Sequence, residues 1–300
     1  MNFAEVKAAA DKGSPAAQFE LGERFYYGKG ILKDSTEAVE WWRKAAIQNF
    51  PPAEYELGLA YGLGNGVPKD KEEGSKWCRM AADAKLPVAE DFEGIAYTLG
   101  KTGATQNYSE AFRWFKSAAD QNYPPSQYRL ALCYRDGKGT PANSSESIVW
   151  FQRAASNGVA NAQFELGRHF VYAGFVELGI PTQINPNFIL TKKQMTNQNF
   201  INGVKWLRSA ANQGYCYGQV DLALAYKYGL GMDKDPIEAW KWLALASIGD
   251  SNFVKAVLEM DKTNGLTFTP EQISAGKQCA EEFSKTNQIP TKSVKEISGL

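Results

Sequence analysis

The chain has 300 residues, enough for one large domain or two ordinary ones, so core size is not limiting. Lys+Arg and Asp+Glu each number 33, and the charge is evenly spread: 18 basic and 20 acidic side chains in residues 1–150, 15 and 13 in residues 151–300. Neither half carries the basic excess that phosphate binding needs, so no nucleic-acid partner is expected.

Along the chain the pattern is helical and periodic. Residues 1–15 read as a capping helix, with Glu5 where later copies have tryptophan. Then Trp41, Trp77, Trp114, Trp150, Trp206 and Trp242 follow at spacings of 36, 37, 36, 56 and 36 residues. The one wide gap exceeds the period by about 20 residues, and a fixed period of this size marks a repeat array. Each tryptophan precedes an alanine by four positions, from Ala45 to Ala246.

Upstream of each tryptophan lies a second block: AQFELGERFYYGKG at 17–30, AEYELGLAYGLGNG at 53–66, AEDFEGIAYTLG at 89–100, SQYRLALCYRDGKG at 126–139, AQFELGRHFVYAG at 162–174 and GQVDLALAYKYGLG at 218–231. Ala17, Leu21, Gly22 and Phe25 fall on one helical face, and so do Ala38, Trp41, Ala45 and Ala46. Each repeat is therefore a first helix (A), a glycine turn and a second helix (B). The third copy is degenerate, with Glu93 where the others have leucine.

Boundary residues agree with this reading. Glycines follow helix A, including Gly174 in the fifth copy. Asp34, Asp70, Asn107, Asn143, Asn199 and Asp235 stand seven residues before each tryptophan, and glutamate follows three residues later in five of the six, as in a capping box. Segments such as Gln48-Asn49-Phe50 and Gln121-Asn122-Tyr123, with prolines at 51–52 and 124–125, end helix B.

The expected fold is all-α: a right-handed α/α superhelical solenoid of about six 36-residue repeats with helical caps at both ends. The expected boundaries are 17–52, 53–88, 89–125, 126–161, 162–217 with an insertion at 175–197, and 218–250. Closing helices follow at 251–285, from segments 253–260 and 270–285, with a tail at 286–300. One such hairpin cannot bury its apolar face alone, so neighbours share a continuous core within one array.

These motifs resemble the Sel-one-like repeat family, a relative of the tetratricopeptide repeats, over roughly residues 1–285. The resemblance implies a non-enzymatic adaptor or scaffold that binds a protein or peptide. Bacterial members include immunity proteins that block a cognate toxin, which is the alternative reading; a hydrolase of β-lactamase type is a more distant one. Some secreted members carry a disulfide in each repeat. This chain has four scattered cysteines, Cys78, Cys133, Cys216 and Cys279, and no CxxC. With no apolar signal-peptide core at the start and no apolar run of membrane-span length, a cytoplasmic location is expected.

No catalytic constellation assembles from the sequence. Ser274-Ala275-Gly276-Lys277 spells SxxK and Lys101-Thr102-Gly103 spells KTG, but penicillin-recognising enzymes need the opposite order. His169 is the one histidine and has no Cys, His or carboxylate cluster around it in sequence, so no metal, cofactor or triad is expected. The periodic tryptophans read as core, and the sequon asparagines Asn107 and Asn143 as helix caps.

By analogy with tetratricopeptide helices, a partner binds in the concave groove lined by helix A. Its variable positions are Glu23, Tyr26, Tyr27, Leu59, Leu63, Ile95, Leu99, Leu132, Arg135, Asp136, Arg168, Val171, Tyr172, Leu224, Lys227 and Tyr228. The recurring aromatics Phe19, Tyr55, Tyr128 and Phe164 read as packing. In the insertion, Phe175, Ile180, Ile184 and Phe188 are candidates either for partner contact or for packing along repeats four to six, because so much apolar side chain is not left in water.

Overall fold

Four of the six first helices open on proline and close on glycine. The computed structural model describes residues 2–101, 105–180, 191–249, 255 and 268–286, which fall into two compact units, Met1–Trp150 and Phe151–Leu300. Unit 1 begins with α1 (Phe3–Asp11). Four helix A segments follow, α2 (Pro15–Tyr27), α4 (Pro51–Leu63), α6 (Pro87–Leu99) and α8 (Pro124–Asp136). Each is followed by a helix B: α3 (Ser35–Ala46), α5 (Lys71–Asp83), α7 (Tyr108–Asp120) and α9 (Ser144–Ser156), the last running across the boundary. Unit 2 holds α10 (Ala160–Glu177), α11 (Lys192–Met195), α12 (Gln198–Asn212), α13 (Cys216–Tyr228), α14 (Pro236–Gly249) and α15 (Pro270–Thr286). Among the described residues there is no strand.

Pro15, Pro51, Pro87 and Pro124 occupy the first helical positions of α2, α4, α6 and α8. There the missing N–H is no loss and the fixed φ suits the helix. The prolines that end one repeat therefore start the next. Gly28, Gly64, Gly100, Gly137 and Gly229 close helix A in the left-handed conformation. Between helix B and the next helix A, that conformation falls on Asn49, Lys85 and Asn122.

The caps of helix B are more specific than a capping box. The side chains of Asp34, Asp70, Asn107 and Asp235 each accept the backbone N–H groups two and three residues on. Their own backbone N–H does not receive the glutamate three residues later. It donates back to helix A instead: Asp34 to Phe25 O, Asp70 to Tyr61 O, Asn107 to Tyr97 O and Asp235 to Tyr226 O, at 2.9–3.0 Å. The capping residue thus ties the two helices of a hairpin together. Reciprocal boxes occur instead at Asn2 with Glu5, Thr191 with Gln194, and Thr269 with Gln272.

Two expectations for repeat five are corrected. Helix α10 does not stop at Gly174 but runs on to Glu177. Gly174 is helical, and a Cβ there would lie 2.6 Å from the Phe200 ring, so it is the point where α12 closes on α10. The cap of α12 is Asn197, two residues before Asn199. Both asparagines donate to the Glu177 carboxylate, at 3.1 and 2.8 Å, which fastens the two ends of the insertion to each other. Residues 181–190, the proposed cap segment 253–260 apart from Lys255, and the tail from 287 lie outside the described residues. The short α11 forms within the 190–196 segment, and the closing α15 forms where the pattern placed a helix.

Helix A packs on its own helix B in α2–α3, α4–α5, α6–α7, α10–α12 and α13–α14, and helix B on the next helix A in α3–α4, α5–α6, α7–α8 and α12–α13. The alanine pairs are the hinge points of that packing: Ala45–Ala46, Ala81–Ala82, Ala118–Ala119 and Ala210–Ala211 are essentially solvent-free. Of the periodic tryptophans, Trp41, Trp150 and Trp242 are buried, while Trp77, Trp114 and Trp206 are half-buried. Degenerate repeat three replaces apolar groups by ion pairs. Glu93, 4% exposed, meets Arg79 at 2.6 Å, and Asp91 meets Arg129 at 2.9 Å and Ser126. A buried carboxylate is tolerated when its charge is matched in this way.

Candidate partner-binding face

Position on helix A decides which groove candidates reach solvent. The last residue of helix A leaves the core in successive repeats: Tyr27 is 56% exposed, Leu63 65% and Leu99 54%. In unit 2 the corresponding Tyr172 is 59% exposed. Large apolar side chains recurring at one exposed position of a helix array are not core, and in unit 1 they form a row across α2, α4 and α6. The last residue of helix A in repeat four is Asp136, whose carboxylate accepts from Arg135 at 2.8 Å and is held below the usual carboxylate range by that bond.

The remaining candidates differ in exposure. Tyr26 is half-buried, with its ring 5.3 Å from Trp42 and 5.0 Å from Tyr27, and its hydroxyl takes a long contact from Asn65. Leu132 lines a cavity of about 320 Å3 with Ile95, Leu99 and Phe115, between α6, α7 and α8. Arg168 is exposed, its Nε 3.8 Å from Asp221; together with Val171, Tyr172 and Leu224 they line a cleft of about 400 Å3 in unit 2. Lys227 is partly buried and lies over the Tyr228 and Phe268 rings. The recurring aromatics pack as expected, Phe19 on Phe50 and Phe164 on Tyr215.

The insertion candidates divide by burial. Phe175 and Ile180 belong to the core cluster of unit 2, with Leu178 and Met195 packed against it, so these side chains are committed to the fold rather than presented to a partner. Val176 does face solvent. Ile184 and Phe188 lie outside the described residues.

Two acidic groups near this face escaped the sequence reading because each directly follows a packing position of helix A, Tyr55 and Val220. Glu56 is partly buried, and burial first, with the charge of Glu23 second, pushes its carboxyl up to about 7. Asp221 is likewise pushed up to about 6 by burial, against the pull of Arg168. Glu23 itself is raised by burial, and its Oε1 is enclosed without a hydrogen-bond partner.

The residues examined for chemistry do not converge. His169 is exposed beside Phe170 on α10. Among the described residues no group of three or more His, Cys, Asp or Glu is placed to hold a metal. Ser274 and Lys277 lie on α15, and Thr102 and Gly103 lie outside the described residues. No described helix is long and apolar enough to cross a membrane.

Stacked helical hairpins with a repeated core and a variable helix A face define an α-solenoid repeat protein. Sel1 repeat models match residues 15–50, 51–86, 94–123, 124–159, 194–215 and 216–251, which is more than half of the chain. The chain belongs to the Sel1 repeat family, whose repeats commonly serve as protein-interaction scaffolds.

A solved structure of a Sel1 repeat protein from Oxalobacter formigenes is 27% identical with a TM-score of 0.66, covering 85% of this chain and 68% of that one. The chain is 30% identical over 133 residues to the chitin synthase regulator SKT5 of Saccharomyces cerevisiae, covering 43% of this chain and 17% of that protein. It is 40% identical over 45 residues to the secretory immunoglobulin A-binding protein EsiB of Escherichia coli, covering 15% of this chain and 9% of that one. It therefore spans less than a fifth of either curated relative.

Proposed function

We propose that this protein is a non-enzymatic interaction scaffold that holds a partner protein or peptide in the groove lined by its helix A segments. The observation that carries this reading is the exposed row Tyr27, Leu63 and Leu99, set at one repeating position of helix A. Tyrosine and large apolar side chains displayed on rigid helices are what a binding surface requires, since little side-chain order is lost on contact. The names of the two curated relatives, one a regulator of a synthase and one a binder of immunoglobulin A, suit the same class of role. All four cysteines are free thiols, which suits a reducing, cytoplasmic setting.

Affinity capture with the wild type and a Tyr27→Ala/Leu63→Ala/Leu99→Ala variant tests the face. A variant with wild-type helicity should lose specific partners, and its retention of every one would overturn the assignment. Turnover of a β-lactam or an ester by purified protein, abolished by one substitution, would overturn the non-enzymatic reading.

A further inference from the structure

We infer that the helix A face of unit 1 takes a peptide segment that presents a lysine or arginine beside apolar side chains. This rests on the scaffold reading and adds the chemistry of the partner. The face is graded from one repeat to the next. On α2 and α4 it carries Glu23 and Glu56; on α4 and α6 it carries the exposed Leu63 and Leu99; between α6 and α8 lies the apolar cavity edged by Ile95, Leu99 and Leu132.

Charge decides the sign of the occupant. Two other carboxylates on the helix A segments of unit 1 are already matched, Glu20 by Arg24 at 2.9 Å and the buried Asp91 by Arg129 at 2.9 Å. Among the described residues Glu23 and Glu56 make no ion pair within 4.0 Å, and the charges of both raise the Tyr27 phenol. One Glu23 oxygen is enclosed with nothing donating to it. Burial, and after it the charge of Glu23, raises Glu56 to about 7, while the charge of Lys29 offsets only part of that of Glu23. A guanidinium or ammonium group bound beside the two carboxylates supplies the counter-charge.

The place already attracts cations, since Lys29 Nζ lies 4.8 Å over the Tyr27 ring. The stem of an incoming lysine or arginine covers Tyr27, and the apolar side chains that follow it run onto Leu63 and into the cavity at Leu99.

A library of random 12-residue peptides displayed on phage and selected on the full chain provides the probe. Selected sequences are then synthesised, and their binding is measured by fluorescence anisotropy. Enrichment of a lysine or arginine next to apolar residues is expected. Its exchange for glutamine in the peptide should weaken binding at least tenfold on the wild type. On a Glu23→Gln/Glu56→Gln variant the same exchange should have less than a twofold effect.

Selected peptides that are acidic or uncharged, or an unchanged preference on the double variant, overturn the inference. If Leu63→Ala/Leu99→Ala abolishes binding while Glu23→Gln/Glu56→Gln is without effect, the cation assignment falls and the scaffold face stands. If neither pair matters, or no peptide is selected, both fall.

Discussion

At the scale of single residues, one buried polar position recurs beside the small residue that opens each helix A pattern: Gln18, Glu54, Glu90, Gln127, Gln163 and Gln219. At three of the glutamines the amide donates to the last turn of the preceding helix, Gln18 to Ala10 O of α1, Gln163 to Ala155 O and Gln219 to Ala211 O. Its carbonyl accepts from a glutamine ending the next helix B, as in Gln48 to Gln18 and Gln213 to Gln163. Glu90 holds this place with three donors, Lys85, Ser117 and Gln121. Glu54 does not: its Oε2 is enclosed without a partner and burial raises its pKa. An ionised carboxylate has no proton to give the carbonyl eight residues back, at Ala46. Glu54→Gln should therefore raise stability by about 1–2 kcal/mol at neutral pH, read by chemical denaturation, and Gln18→Glu should lower it by a similar amount. An unstabilised Glu54→Gln would show that the ladder is not energetic. The ladder is written in the recurring AQ and AE pairs, but it registers only once the glutamine is known to be inside.

At the scale of elements, helix B presses on helix A where helix A is smallest. A Cβ at Gly58 would meet Cys78 Sγ at 2.5 Å and the Gly74 carbonyl oxygen at 2.8 Å, so α5 touches the α4 backbone itself. At Gly62, one turn on, nothing lies within 4 Å of the same atom. Gly58→Ala should cost about 2–3 kcal/mol through overpacking. Gly62→Ala should be neutral or stabilise by up to about 1 kcal/mol through helix propensity. Thermal melts of the two variants check the pair, and equal effects would contradict the close approach. This element was legible in outline, because glycine at a fixed place in a helical motif already implies a neighbour close by. The insertion was not. Gly174 imitates a terminator in sequence but serves as a packing site for Phe200, and Asn199 imitates the cap that Asn197 provides.

At the scale of the whole molecule, several carboxylates are less acidic in the fold than in the open chain. Glu56 rises to about 7 and Asp221 to about 6, and Glu23, Glu54, Asp91 and Glu93 move in the same direction, burial being the largest cause in each. Asp136 and Glu271 move the other way. A raised carboxylate gives its full stability below the ordinary carboxylate range. That stability is lost as the pH rises through the folded value, because the unfolded chain then releases the proton more readily. The melting temperature should therefore fall from about pH 5 to about pH 8, and Glu56→Gln/Asp221→Asn should remove much of that fall. With solvent screening allowed for, each group accounts for roughly 1 kcal/mol. A melting temperature that stays flat or climbs over this range would rule the effect out.

The sequence by itself determined the repeat. A tryptophan period, paired alanines, capping Asp and Asn and closing glycines are local rules, and each acts within a few residues of the side chain that carries it. From them follow the helices, their order and the family. Tertiary structure decided which recurring residues are spent inside and which remain available. Phe175 and Ile180 go to the core of unit 2, while Tyr27, Leu63 and Leu99 stay exposed. It also brought Glu56, silent in the pattern, under the influence of Glu23 thirty-three residues earlier. Burial and charge are properties of neighbours in space, and in a repeat array those neighbours lie a full period away along the chain.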